Sequence, residues 1–213
     1  MPVSGALGAE IPEVDLLDLD SNQLSDIVDV LYRYKVVFFR GADLTAVEYM
    51  DLAAKICAIN IFSTSRLSGS VEPTCQVITD GPDSPPEADY WHTDVTWVAE
   101  PPKCALLHTE VVPERGGDEH IRALDDESFS LGGRFMRHID GLNDDESRAI
   151  LELLSRHIED SRLHCRWRWQ PGDLAIWDER STNKRSAGDR FPHARSIRRV
   201  EVAGDRPFFD PAI

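Results

Sequence analysis

Short apolar runs alternate along the chain with polar breaks, and the spacing inside each run predicts its element. Leu24, Ile27, Val28 and Leu31 recur at i, i+3, i+4 and i+7 behind a cap at Asp20 or Ser21, which predicts a helix. KVVFF (35–39) is a run rich in Val and Phe that Arg40-Gly41 closes, and it reads as a buried strand. A second helix opens at Thr45 with Glu48 three residues on, and its apolar stripe runs through Val47, Met50, Ala53, Ala54 and Cys57. GPDSPPEAD (81–89) is turn and loop chemistry. YWHTDVTW (90–97) and CALLHTEVV (104–112) read as strands, with PERGGDE (113–119) as a turn behind them. Residues 120–142 carry only weak periodicity. A third helix starts at Asn143, again with a capping box through Glu146, and sets Ile150, Leu151, Leu154 and Ile158 on one side. LHCRWRW (163–169) alternates, with Leu163, Cys165, Trp167 and Trp169 on one face. QPGD (170–173) is a turn, and LAIWD (174–178) and SIRRVEV (196–202) complete the strands. No repeat or linker interrupts this order. The pattern predicts one mainly β domain over 1–213, with helices packed outside a sheet-built core.

Composition narrows the partners. A chain of 213 residues is long enough for one large domain with a real core. Its formal net charge of −15 repels phosphate backbones and anionic lipid, which argues against nucleic acid and membrane surfaces as partners. No apolar run approaches the ~18 residues that a bilayer span needs. MPVSGALGAEIPEVD at the start has neither the basic nor the apolar region of a secretory leader. Cys57, Cys75, Cys104 and Cys165 are scattered without a CxxC and read as reduced, buried small hydrophobes, so the expected location is cytoplasmic.

The candidate chemistry begins in YWHTDVTW. On a strand, His92 and Asp94 at i and i+2 point to one face and offer half of a metal site. Around them GALGAEI (5–11), KVVFFRG (35–41), WHTDVTW (91–97), EPP (100–102), PERGGD (113–118), RWRWQPGDLAIWDER (166–180) and RRVEVAGDRPF (198–208) fall in order. This series resembles the taurine dioxygenase (TauD/TfdA) family of iron(II)- and 2-oxoglutarate-dependent dioxygenases, over nearly the whole chain. The resemblance implies a distorted jelly roll, or double-stranded β-helix. It implies Fe(II) held by a His-x-Asp pair and a distal His, with three positions open to 2-oxoglutarate and oxygen. It implies a hydroxylase-type oxidoreductase acting on a small anionic metabolite, with an Arg and a Thr holding the far carboxylate of 2-oxoglutarate.

Carried onto this chain, the resemblance makes His92 and Asp94 the first two metal ligands. Arg195 becomes the cosubstrate-binding arginine and Arg199 the substrate-binding one. Residues 195, 197 and 199 share parity, so a strand would send both guanidiniums from one face. The planar guanidinium fork suits a carboxylate or sulfonate.

Three departures change the expectation. The distal histidine position, in WDERSTNK, holds Lys184, whose ammonium has no lone pair for a metal. The residue after GGD is Glu119 where the resemblance implies Thr, and its carboxylate would repel that of 2-oxoglutarate. The stretch after GGD is several dozen residues shorter than the resemblance implies, which reads either as an internal deletion near 119–132 or as residues left out of the sequence. Lys184 is therefore expected to pair with Asp94 where iron would sit, and Glu119 with Arg195 where 2-oxoglutarate would sit. Such a remodelled centre would impair ordinary iron chemistry and puts both Fe(II) and 2-oxoglutarate in question. The alternative is a catalytically silent or non-redox relative that binds a small anion or a partner subunit; the family commonly self-associates, which leaves a homo-oligomer open. His108, His138 and His193 are not expected to replace the third ligand, His157 and His164 read as solvated, and the five tryptophans read as core.

Overall fold

Val36, Val37, Phe38 and Phe39 are all buried, and their alternation sets the layers of the molecule. The computed structural model describes residues 1–57, 61–62, 75–123 and 136–207, with the backbone alone at 57, 61 and 62. In chain order the elements are β1 (Ala9–Glu10), α1 (Ser21–Tyr34), β2 (Val36–Phe39), α2 (Ala46–Cys57), β3 (Ile61–Phe62) and β4 (Gln76–Asp80). They continue with β5 (Cys104–Val111), β6 (Glu119–Ala123), α3 (Asp144–Ile158), β7 (His164–Trp167), β8 (Leu174–Asp178), β9 (Thr182–Ser186) and β10 (Arg195–Val202). The larger sheet runs β1-β2-β8-β5-β10-β3, with β4 also paired to β10; the smaller runs β7-β6-β9. Among the described residues, β1 and β2 alone pair in parallel; the remaining pairings are antiparallel.

Each strand of the larger sheet feeds two cores. Val37, Phe39, Leu106, Leu174, Ile176 and Val200 face outward and pack under α1 and α2. Val36, Phe38, Ala105, Ala175, Trp177 and Ile197 face inward, where they meet Ile121, Cys165 and Trp167 of the smaller sheet. Phe38 stacks on Trp167 with ring centroids 4.0 Å apart and the planes 9° from parallel. Burial on both faces is why KVVFF and LAIWD read as unbroken apolar runs. The arrangement of two facing sheets with helices outside is the mainly β jelly roll expected.

The helix caps match their predicted chemistry. Asp20 accepts from the backbone N–H groups of Asn22 and Gln23 while Gln23 reaches back to the Asp20 N–H. Asn143 and Glu146 form the same reciprocal box at α3. The α2 stripe is rotated from the expected one. Val47 is 70% exposed, and Tyr49, Leu52, Ala53 and Ile56 are buried instead. The Tyr49 hydroxyl donates to the Leu106 carbonyl at 2.6 Å, which pins α2 to β5. The α3 stripe is not a core stripe: only Ser147 and Ile158 are buried, and Ile150 and Leu153 are exposed. α3 thus stands on the periphery, where its acidic first turn and caps support it.

Several expectations fail for physical reasons. Residues 90–97 form no strand, because Val95 takes a left-handed backbone at φ 53° that breaks the extended run. Trp97 is 57% exposed rather than core, carried outward by that turn. Strand β6 begins at Glu119, where a turn was expected to end. β9 (TNKRS) went unread because polar residues fill a strand buried at Thr182, Asn183, Lys184 and Ser186. Cys104 is disulfide-bonded, whereas Cys75 and Cys165 are free; scattered spacing says nothing about which cysteines become neighbours. Residues 124–135, which hold most of the weakly periodic stretch and of the expected deletion, lie outside the described residues.

Candidate functional site

The inner face of β10 carries Arg195, Ile197 and Arg199, as their shared parity requires, and all three line a cavity of about 500 Å³ between the sheets. His92, Asp94, Glu119 and Lys184 line the same space. The sequence-predicted site residues therefore converge, although His92 and Asp94 arrive on a loop. That loop is held by an antiparallel bridge: the His92 N–H donates to the Lys184 carbonyl at 3.0 Å, and the His92 carbonyl accepts from the Lys184 N–H at 2.9 Å. Val95 is buried in its left-handed conformation, and such strain in a β-branched residue costs about 1–3 kcal/mol. The surrounding packing holds it, and Asp94 is turned inward as a result.

His92 Nδ1 lies 2.8 Å from the Tyr90 carbonyl. A carbonyl only accepts, so Nδ1 carries the proton and Nε2 keeps its lone pair. Nε2 lies 3.8 Å from Asp94 Oδ1. Burial first, and then the nearby Lys184 charge, push the imidazole down to about 4. His92 is thus a neutral base with a free lone pair at neutral pH.

Lys184 occupies the centre of the site. It is 4% exposed on β9, opposite Ile121 of β6. Its Nζ lies 2.8 Å from Asp94 Oδ2 and 2.7 and 2.9 Å from the two oxygens of Glu179. Burial alone would lower this ammonium, but Asp94 and Glu179 more than offset it and raise it. Burial alone would push Asp94 up, yet Lys184 and Arg199 hold it well below the usual carboxylate range. Burial pushes Glu179 up, against the pull of Lys184 and with the push of Asp94. Glu179 also accepts from the Trp177 indole N–H at 2.7 Å and from the Asp94 N–H at 3.3 Å. Sequence reasoning missed Glu179 entirely, since a Glu beside Arg180 after a strand reads as a solvated turn.

The two arginines differ in what they hold. Arg199 Nη1 reaches Asp94 Oδ2 at 3.0 Å, and Nη2 lies 3.1 Å from Glu201. Its Nε and Nη2 donate to the neutral amide oxygen of Gln76 at 3.1 and 2.8 Å. Arg195 was expected to pair with Glu119, and it does not. Its Nε donates to Asp80 Oδ2 at 2.9 Å and its Nη1 to the Ser186 hydroxyl at 2.6 Å. The same Asp80 oxygen accepts from Arg190 at 3.1 and 2.5 Å. Asp80 arrives on β4, which the sequence did not reveal, in register with Arg195. Glu119 Oε2 has no hydrogen-bond partner among the described residues, and burial pushes its carboxyl up against the pull of Arg195, Lys184 and Arg190. Glu119 is placed by the turn before it: Gly116 has φ 75°, and a Cβ there would meet Asp189 at 2.8 Å.

This donor set does not fit an iron centre of two histidines and one carboxylate. The third position is a protonated amine already held by two carboxylates. Among the described residues, no three His, Cys, Asp or Glu side chains are arranged to grip a metal ion. The other histidines stay apart from the site. His108 is buried on β5 against the Ala42 carbonyl at 2.5 Å. His138, His157 and His193 are exposed. His164 bonds the Ile158 carbonyl at 2.7 Å. Nor does the set fit the far carboxylate of 2-oxoglutarate, because Arg195 is engaged by Asp80 and Glu119 stands beside it.

Comparison with known proteins places this geometry among relatives. The model of the taurine catabolism dioxygenase TauD, TfdA family matches residues 1–122 and 120–183, in two stretches that overlap within β6. An alpha-ketoglutarate-dependent sulfate ester dioxygenase from Pseudomonas putida is 27% identical, over 97% of this chain and 89% of its own. An alkylsulfatase from Acinetobacter baylyi is 24% identical, over 95% of this chain and 84% of its own. The crystal structure of a taurine dioxygenase from Burkholderia xenovorans superposes with a TM-score of 0.78 at 25% identity, covering 96% of this chain and 90% of that one. Each alignment with the two sequence relatives spans more positions, 279 and 276, than the 213 residues of this chain.

Proposed function

The chain belongs to the TauD/TfdA dioxygenase family, and from that premise we propose that it is a member with a remodelled centre that binds a small anionic metabolite and does not run ordinary iron and 2-oxoglutarate chemistry. The observation that carries this reading is the Lys184 ammonium, bonded to Asp94 at 2.8 Å and Glu179 at 2.7 Å. A divalent ion at that point would have to expel a tethered cation from two buried carboxylates, leaving the amine unpaired at a cost of several kcal/mol.

The anionic class rests on Arg199. The Nε and Nη2 edge of its guanidinium donates to the neutral Gln76 amide oxygen in an exposed contact, with Glu201 3.1 Å from Nη2 on its buried side. A sulfate or sulfonate would replace that acceptor with a charged one, and a charge-assisted bond is roughly twice as strong. Arg195 offers no such edge, because a ligand carboxylate would first have to displace Asp80. Both arginines are thus held by the protein's own carboxylates, Arg195 by Asp80 and Arg199 by Asp94 and Glu201, but only Arg199 also spends bonds on a neutral acceptor that an anion could replace. The sulfate ester dioxygenase and alkylsulfatase relatives supply the candidate class. The shortened stretch near 119–132 belongs to the same reading, as loss of residues that would otherwise cover the cavity.

Two measurements test this. Under air with added Fe(II) and millimolar 2-oxoglutarate, the wild type should release no succinate, and Lys184→His should bind iron more tightly than the wild type. Stoichiometric tight iron in the wild type, or steady succinate release, would sink the proposal. It would favour instead an oxygenase working through His92 Nε2 and Asp94 with water in the third place. Calorimetry with a short alkyl sulfate should show binding that Arg199→Ala weakens by about tenfold or more, which corresponds to ~1.4 kcal/mol.

A further inference from the structure

Glu119 is 3% exposed, yet its Oε2 has no hydrogen-bond partner among the described residues, and the side chain lines the cavity between the sheets. Buried acceptors are nearly always satisfied, so one left over beside a binding cavity points to a donor that a ligand brings. We infer that Glu119 Oε2 receives a hydroxyl of the bound metabolite, which makes the ligand a hydroxylated anion with its charged group on Arg199. The inference rests on the Arg199 subsite proposed above and adds the group at the other end of the ligand.

The two subsites lie towards opposite ends of one cavity. Arg195 and Arg199 share the inner face of β10, and four residues of strand separate their backbones by about 13 Å. Glu119 belongs to the Arg195 end. It sits opposite Ser186 of β9, whose hydroxyl accepts from Arg195 at 2.6 Å. Lys184 stands between the ends: it is bonded at 2.8 Å to the Asp94 oxygen that Arg199 also holds at 3.0 Å, and it pairs with Ile121, two positions from Glu119 on the same face of β6. A small molecule in this space can therefore meet Arg199 with one end and Glu119 with the other.

The charges around Glu119 decide which donor fits. Burial pushes its carboxyl up, and Arg195, Lys184 and Arg190 pull it down, with the Trp169 indole adding to them. Those three cations bond elsewhere, Arg195 and Arg190 to Asp80 and Lys184 to Asp94 and Glu179. A ligand ammonium would meet them as like charges. A hydroxyl meets no such repulsion and gives a carboxylate a short, charge-assisted bond. Where the resemblance implies a threonine that helps hold a carboxylate, Glu119 thus turns this end of the cavity from one that takes an acceptor into one that takes a donor.

The probes are an alkyl sulfate, the same chain with a terminal hydroxyl and the same chain with a terminal ammonium, each at several chain lengths. Calorimetry compares them on the wild type, Glu119→Met and Arg199→Ala. At its best chain length the hydroxylated sulfate should bind the wild type about tenfold or more tighter than the plain one, because a site built around a hydrogen bond rejects the analogue that lacks it. Glu119→Met should erase that preference and leave the plain sulfate within about twofold of wild type, since Arg199 is untouched. Arg199→Ala should weaken all three ligands. Equal binding of plain and hydroxylated sulfates at every length, or a preference that survives Glu119→Met, would overturn the inference and leave the Arg199 subsite standing. Tighter binding of the ammonium analogue than of the hydroxyl one would overturn the donor assigned here. Absence of any binding that depends on Arg199 would overturn the proposed function instead. Should Glu119→Met not fold, Glu119→Gln takes its place and should shrink the preference, because a neutral amide oxygen accepts more weakly than a carboxylate; an unchanged preference counts against Glu119.

Discussion

Asp80 accepts bonds from two guanidiniums on one oxygen, and both arginines are at least 95% buried. Removing one partner of a buried charge network leaves the others uncompensated, at about 3–5 kcal/mol. Asp80→Ala should therefore lose stability of that order in urea unfolding, while Asp80→Asn, which keeps an acceptor, should lose less. His92 gives the pH prediction. Its folded value of about 4 lies below the ordinary 6.5, so the unfolded chain binds the extra proton between these values. Stability is complete above pH 6.5 and falls as pH drops toward 4, by up to about 3 kcal/mol. A His92→Gln variant should show a shallower loss between pH 6.5 and 4.5; parallel curves would acquit the imidazole. Much of this site was legible in the residues. The Asp94–Lys184 contact followed from the aligned positions, and the shared face of Arg195 and Arg199 from parity. Glu179, Asp80 and Arg190 were not legible, because their partners are set by tertiary proximity: Asp80 lies 110 and 115 positions from its two arginines.

At the scale of elements, α1 depends on its start. Asp20 caps two backbone N–H groups, and Asp20→Ala should cost about 1 kcal/mol in thermal unfolding. α3 behaves differently. Leu153 is 58% exposed despite its helical spacing, so Leu153→Lys should shift stability by no more than about 0.5 kcal/mol. A larger loss would mean that α3 is covered in solution by a partner surface. The contrast shows where sequence patterning works. β2, β5, β8 and β10 were readable because a sheet with two buried faces writes long apolar runs. β9 was unreadable because it buries Lys184 and Asn183 for the sake of the site, and local rules fail where a site takes precedence. The 90–97 loop failed as a predicted strand for the same reason: one left-handed valine reverses the period on which the reading relied.

The whole molecule carries a net charge of −15. Self-repulsion of this size is screened as ionic strength rises and the Debye length falls from about 30 Å at 0.01 M to about 8 Å at 0.15 M. Exposed ion pairs such as Arg162–Asp160 lose little in exchange. Tm should accordingly rise between these two salt levels by a few degrees, roughly 2–4 °C per kcal/mol gained for a chain of this size. A fall would show that the buried network, rather than overall charge, dominates the salt response.

β10 has one further consequence. It is the last strand described, yet it lies inside the larger sheet, with β5 on one side and β4 and β3 on the other. During synthesis β3, β4 and β5 must wait for it, and β5 meanwhile presents an unzipped, apolar border. Non-local closure of this kind is slow and invites mispairing. The cavity, whose two arginines ride on that inserted strand, can therefore close only after β10 has joined β5 and β4.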